Sequence, residues 1–347
     1  MPAPRVLTER ELNRGLLARQ MLLERVAIPL PRALERMGFL QDQYAPSGYI
    51  GLWTRVAGFQ RADLTQALER RTVVQGTLLR STIHLVSRRD YWPVMAAVDE
   101  PLRDWWFRAW KRRDEWHRLR AIDKRARVLL AGRSLRRAEI LDALGLDASD
   151  WGGVGLWTPL LRVPPSGTWE QRRADRYAVA EDWIGPSSAT AVAGRDLVVR
   201  RYLAAFGPAA RKDIASFTGL SAALLAPVIE RLPLRTFRDE AGGELLDVRG
   251  APLPDADAPA PVRFLPTFDA TLLVHARRTQ ILPERFRPLI FHTKNPQSAP
   301  TFLVDGQVAG TWKHESGKIA LQPFEPLPRA VRRELEAEAV GLAALHA

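Results

Sequence analysis

The 347-residue sequence contains no cysteine, and that single absence excludes disulfides, thiolate metal sites and a cysteine nucleophile together. Its six histidines (His84, His117, His275, His292, His314, His346) include no pair four residues apart. No GxxxxGK[ST] loop, GxGxxG fingerprint or GxSxG elbow occurs, which sets aside the common nucleotide-binding and serine-hydrolase chemistries. Long apolar runs are also missing: the longest uncharged stretch, Ile214 to Ile229, is broken by Ser, Thr, Gly and Pro. The opening MPAPRVLTERELNRGLL carries charges where a secretory leader needs an apolar run. A cytoplasmic, nucleoid-associated protein without a membrane segment is therefore expected.

Lysine is scarce as well. Only six of the 51 basic residues are Lys, so the surplus over 39 acidic residues, a net charge of +12, is carried by arginine. Guanidinium groups suit bidentate contacts to phosphate and guanine, and the balance points to a polyanionic partner. The charge is concentrated. Between Arg103 and Arg137 thirteen basic residues, among them Lys111, Arg112 and Arg113, face four acids, so this stretch supplies +9 of the +12. Trp92, Trp105, Trp106, Trp110 and Trp116 lie in or beside it. Interleaved cations and indoles fit a surface that tracks a nucleic-acid backbone. The helical spacing of Trp106 and Trp110 fits equally well a buried helix face with solvated arginines opposite.

Periodicity suggests one theme repeated: short helices followed by a strand pair around a polar turn, the pattern of a winged helix-turn-helix. The clearest copy runs from Leu197 to Val248. LVVRRYLAAFG, RKDIASFTG and SAALLAPVIERL, the last N-capped by Ser221, precede LRTFR and ELLDV around DEAGG. A looser copy spans Ile122 to Ala180, with SDWGGVGLWTPLLRV as its third helix. A third copy spans Leu7 to Met95, with helices in TERELNRGLLARQMLL, PLPRALERMG and RADLTQALERRTVVQG and a strand pair in TLLRSTIHLV. After the linker APLPDADAPAPV, the runs RFLPTFDATLLVH, PLIFH and TFLVDGQVAGTWKHESGKIALQPF read as strands, closed by a helix from Pro328 to Leu345. The expected class is α+β, mainly helical: three tandem winged-helix modules (1–118, 119–190, 191–252) and a small β-rich module (253–347).

The segments MGFLQDQYAPSGYIGLWTRVAGF, TLLRSTIHLVSRRDYWPV, FLPTFDATLLVHARR and FLVDGQVAGTW together resemble the AlkZ and YcaQ group of bacterial winged-helix DNA glycosylases, over nearly the whole chain and in the same order. That resemblance implies a C-shaped scaffold that binds double-stranded DNA containing alkylated guanine. It also implies a Gln-x-Gln catalytic motif, here Gln41 and Gln43 around Asp42, bulky or crosslinking N7-guanine adducts as substrates, and a role in self-resistance to DNA-alkylating natural products. Without the resemblance, Gln41 and Gln43 read as surface polar residues at the end of a helix.

Two neutral amides suit this chemistry. N7-alkylated guanine is already cationic and leaves without protonation, so the enzyme need only place a water at C1′, and a Gln amide offers both acceptor and donors. Gln41 is assigned to hold the water and Gln43 to orient water or sugar. Asp42, the competing general base, is expected to point away. No cofactor is expected, and a monomer is.

Arg80 and His84 read as residues on one strand face that contact phosphate or lesion or are ordinary half-exposed strand residues, Arg55 is similar beside Trp53, and Trp312 and Lys313 lie at the end of a hairpin that either reaches a DNA groove or is a plain turn of the β module. Asp269 reads as a turn organiser and is left out of the catalytic set. The competing classes are a non-catalytic winged-helix regulator or architectural protein, and a resistance protein that sequesters the free drug.

Overall fold

The computed structural model describes residues 4–273, 279–292 and 295–347. His275 and the end of the expected strand-like run after Leu273 lie outside the described residues. The chain begins with β1 (Val6–Leu7) and α1 (Glu9–Arg19), whose N-terminus Thr8 caps: its hydroxyl accepts from the Glu11 amide while the Glu11 carboxylate accepts from the Thr8 amide. α2 (Leu30–Met37) ends at Gly38, where a φ of 69° turns the chain sharply into β2 (Leu40–Gln41). α3 (Ala45–Trp53), which periodicity did not mark, then precedes α4 (Arg61–Glu69), β3 (Val73–Thr77), β4 (Ile83–Ser87) and the long α5 (Arg88–Ala109).

The next segment contains α6 (Trp116–Leu130), β5 (Leu135–Arg136), α7 (Arg137–Leu144), α8 (Trp151–Val154), β6 (Leu160–Arg162), β7 (Arg176–Val179) and α9 (Ala180–Ile184). The helix expected across SDWGGVGLWTPLLRV is therefore corrected. Its three glycines and Pro159 leave only one helical turn at α8, and the apolar end becomes a strand. β6 and β7 join strands of the first segment in one six-stranded antiparallel sheet, ordered β2-β4-β3-β6-β7-β5.

α10 (Ala191–Phe206), α11 (Arg211–Thr218) and α12 (Ala222–Arg231) follow as expected, with Ser221 accepting from the Leu224 amide as the N-cap of α12. The hairpin of β8 (Leu234–Asp239) and β9 (Glu244–Val248) comes next, and β1 adds to its edge in parallel. A buried bidentate pair, Arg19 to Asp247, fastens α1 to this hairpin. The last segment holds β10 (Arg263–Leu265), the short α13 (Ala270–Leu273) and α14 (Arg287–Ile290), and β11 (Phe291–His292) paired with β12 (Asn295–Ser298). It ends with β13 (Thr301–Val304), β14 (Gln307–Glu315), β15 (Lys318–Pro323) and α15 (Arg329–His346). The antiparallel sheet β10-β13-β14-β15 packs Phe264, Phe302 and Trp312 against Leu335 and Leu342 of α15.

The molecule is thus mixed α+β, about half helical, with an antiparallel C-terminal sheet. Among the described residues the buried apolar side chains form four clusters, the largest of which brings together Val86 of β4, Leu161 of β6, Tyr202 of α10 and Leu303 of β13. Among the described residues no single helix is long and apolar enough to cross a membrane.

Candidate active site

β2 is only two residues long, but its pairing fixes the geometry of the QDQ motif. Leu40 lies opposite Leu85 and Gln41 opposite His84. Opposed residues share a sheet face and successive ones alternate. Gln41 therefore shares a face with His84, while Asp42 falls on the face of Leu40, Leu85 and Gln75. Asp42 is buried there. One carboxylate oxygen accepts from the Gly48 amide at 3.0 Å and the other from Gln75 Nε2. The close approach requires glycine, because a Cβ at position 48 would lie 2.8 Å from Asp42 Oδ1 and 2.7 Å from Leu85 Cδ1. Burial pushes the Asp42 carboxyl up to about 7 despite these hydrogen bonds.

The two glutamines are oriented by partners that can only donate. Gln41 Oε1 accepts from Arg80 Nη2 at 3.0 Å, and Gln43 Oε1 accepts from the Ile83 backbone amide at 2.8 Å. Each amide must turn its oxygen to its partner. Neither Nε2 has a protein partner among the described residues, and neither is sealed in the interior. Gln41 is 8% exposed, whereas Gln43 lies at the surface.

Arg80 is not on a strand, which corrects the expected alternation with His84. It sits in a 3-10 turn, Leu79–Ser81, between β3 and β4, at a φ of 55°, and Ser81 follows at 60°. Two successive non-glycine residues in the left-handed region store strain of about 1–3 kcal/mol each, which the surrounding structure must hold. The turn carries the Arg80 side chain to Gln41, to the carbonyl of Phe217 at the end of α11, and over the Phe217 ring, 5.2 Å from its centroid. Among the described residues no carboxylate pairs with Arg80. The negative end of α11 and the ring face offset its charge instead. Burial lowers its pKa to about 10, so it remains a cation at neutral pH.

His84 is buried, and burial together with the Arg80 charge lowers its pKa to about 3. Its Nδ1 donates to the Thr82 carbonyl at 3.0 Å, which fixes the neutral tautomer with Nε2 as acceptor. Beyond this face, Arg162 on β6 lies opposite Gln75, donates from Nη1 to the Thr77 hydroxyl at 3.0 Å and stacks over Tyr177 at 5.2 Å. Among the described residues its buried Nε has no hydrogen-bond partner and no carboxylate lies in salt-bridge range, while Tyr177 and the more distant Asp42 favour its charge. Sequence reading missed Arg162, whose setting LLRV carries no signal. It also missed Gln75, although an amide inside the apolar run VVQGT was a visible anomaly.

Several expected DNA contacts are not available as surface. Arg55 is 1% exposed, ion-paired with Asp269 at 2.9 Å and bonded to the Gly51 carbonyl. Asp269 also accepts from the Thr271 amide and hydroxyl, the turn-organising arrangement expected for it. Trp312 is buried, with its indole N–H on the Leu265 carbonyl. Arg112 is tied to Glu115 and Asp150, and His84 is enclosed as described. Lys111, Arg113 and Lys313 are exposed. In the basic stretch, Arg108, Arg120, Lys124, Arg125, Arg133 and Arg136 are also exposed and make no ion pair among the described residues, while Arg103, Arg118 and Arg127 are held by neighbouring acids. The tryptophans divide: Trp106 and Phe107 are buried, but Trp105 and Trp110 are 46% and 61% exposed. No group of His, Asp and Glu that could hold a metal ion occurs among the described residues.

A family-wide profile described as DNA glycosylase AlkZ-like matches residues 34–345, and the chain belongs to this family of AlkZ-like DNA glycosylases. Among solved structures, the Streptomyces sahachiroi DNA glycosylase AlkZ superposes with a TM-score of 0.82 at 19% sequence identity, covering 98% of this chain and 97% of that one. The two share a fold. A search of curated proteins gives no match.

Proposed function

We propose that this chain is a monofunctional DNA glycosylase that hydrolyses the N-glycosidic bond of N7-alkylguanine, with bulky adducts or interstrand crosslinks of alkylating natural products as its substrates and self-resistance as its role. Its scaffold is three tandem winged-helix modules (1–118, 119–190, 191–252) and a β-rich module (253–347), arranged as a C that binds duplex DNA as a monomer. Gln41 and Gln43 are the catalytic pair.

The observation that carries this reading is the common orientation of the two glutamines, each with its oxygen anchored and its NH₂ group free. A water between them accepts from one Nε2 and donates to the remaining lone pair of the other Oε1. One water lone pair is left to face C1′. The bond from C1′ to N9 breaks with its electron pair going to the purine, which neutralises the cation. Water oxygen bonds to C1′, and the surplus proton passes to solvent. The protein does not have to supply an acid. Asp42, with both oxygens engaged on the opposite face, takes no part. His84 remains neutral and adds no positive charge of its own near an oxocarbenium-like sugar.

Such a site favours a good leaving group. An amide orients water without strongly activating it, so undamaged guanine is spared. The exposed, unpaired cations from Arg108 to Arg136 hold the phosphate backbone. The test is a duplex with a single N7-methylguanine, treated with alkali after incubation. The wild type gives strand breaks at the lesion, and Gln41→Ala/Gln43→Ala, with duplex binding verified, gives none. Binding without breaks by the wild type would make the protein a DNA-binding factor instead.

A further inference from the structure

A concave apolar groove lies at the base of the β8–β9 hairpin, where the hairpin meets α10. Its volume of about 640 Å³ is within the range of sites that hold a ligand or a few side chains. Leu197 of α10, Leu234 of β8 and Val248 of β9 form its floor, each half-buried against the largest apolar cluster. Leu234 and Val248 are the first cross-strand pair of the hairpin, so the groove is at the opposite end from the Gly-rich turn.

The rim of the groove is basic. Arg89 of α5, Arg200 and Arg201 of α10 and Arg249 after β9 line it, and among the described residues no acid does. Arg201 is held by Glu35 and Asp90. Arg89, Arg200 and Arg249 are exposed, and their side chains make no hydrogen bond or ion pair among the described residues. Arg89 acts only at a distance, on the buried Asp90 that Arg201 already holds. Like charges gathered round wet aliphatic surface gain nothing for the fold, since they repel one another and leave the floor unburied. A ligand that complements both is apolar in its middle and anionic at its flanks.

We propose that this groove docks an acidic peptide segment of a partner protein. A large apolar side chain of the segment rests on Leu197, Leu234 and Val248, and carboxylates on either side of it pair with Arg89, Arg200 and Arg249. A nucleic-acid duplex answers the cations but not the floor, because its outer surface is phosphate and sugar with no aliphatic group to bury. The groove is also separate from the QDQ motif. Gln41 pairs with His84 towards one end of β4, and Arg89 follows Ser87 at the other. A docked segment therefore leaves Gln41 and Gln43 open to DNA. The proposal does not depend on the glycosylase reading, since no residue of the groove belongs to the catalytic pair.

The test is fluorescence anisotropy of the full chain with a labelled peptide, DEDLFEDE, and with DEDSSEDE and KRKLFKRK as controls. The first peptide is expected to bind, and the two controls about tenfold more weakly or worse. Arg200→Glu/Arg249→Glu should weaken DEDLFEDE by about tenfold or more, and Arg200→Ala/Arg249→Ala by less. Both arginines are exposed and unpaired, so an unchanged melting temperature is expected in both variants. Release of N7-methylguanine by the variants should equal that of the wild type. No binding of DEDLFEDE, equal binding of DEDSSEDE, or affinity indifferent to charge reversal overturns the proposal. Displacement of the peptide by a short undamaged duplex, with duplex affinity lost equally in the variants, overturns it in favour of a DNA contact. None of these outcomes bears on the glycosylase reading, which fails only if the wild type releases no base.

Discussion

Arg80 Nη2 and Gln41 Oε1 are 3.0 Å apart, and this bond connects the end of α11 to β2, because the same guanidinium also binds the Phe217 carbonyl. Arg80 is a positioning residue on this geometry. Arg80→Met frees the Gln41 amide to rotate and is expected to lower kcat for N7-methylguanine release by about 10- to 100-fold, the worth of a charge-assisted hydrogen bond. Single-turnover rates at saturating enzyme check it. A loss carried wholly by KM would make Arg80 a DNA contact instead.

Asp42 gives a pH prediction with a definite sign. Its folded pKa, about 7, is above the ordinary carboxylate value, so its contribution to stability is complete below that ordinary value and is lost as pH rises through 7. Asp42→Asn removes the titration. The melting temperature of the variant should fall less than that of the wild type between pH 5 and pH 8 (about the window of the shift). Base release at neutral pH should persist in the variant. Abolished activity in a folded Asp42→Asn protein would reinstate the carboxylate as the general base.

Arg55 and Asp269 form a buried pair across 214 residues of sequence. Arg55→Met leaves the carboxylate uncompensated, and a loss of about 3–5 kcal/mol in unfolding free energy is expected from denaturant titration. The salt dependence of DNA binding should be the same as in the wild type. A change in that slope would return Arg55 to the DNA-contacting set.

The exposed cations should show the opposite behaviour. Lys111→Ala/Arg113→Ala is expected to reduce the slope of log K against log salt by about 1.8 for duplex DNA, while stability changes little. Arg112→Ala, between them, should instead destabilise the protein, because Glu115 and Asp150 lose one of the two arginines that hold them, keeping only Arg118. Binding isotherms at several salt concentrations separate the two kinds of arginine.

These contrasts mark what the sequence could reveal. Local signals were reliable: the Ser221 cap and the β8–β9 hairpin are written in adjacent residues. The family resemblance marked Gln41 and Gln43, although residues 39–43 read as the fraying end of a helix. Their shared face became evident only once β2 was seen paired with β4. The Arg80 turn was hidden because an Arg-Ser step does not advertise two left-handed residues. Burial of Arg55 and Trp312 was hidden for another reason: Asp269 and the Leu265 carbonyl are distant in sequence, and a lone arginine or tryptophan looks the same whether its partner is solvent or a remote strand. WGGVGLW misled through its hydrophobicity, since glycine content outweighed it.

The six-stranded sheet has a consequence for the protein as a physical object. β3 lies between β4 of the first segment and β6 of the second, so severing the chain between positions 118 and 119 would strip β3 of a neighbour and leave an unzipped edge. Neither piece would behave as a free-standing part. Produced separately and mixed, the two halves should recover their shape only by re-annealing along that seam.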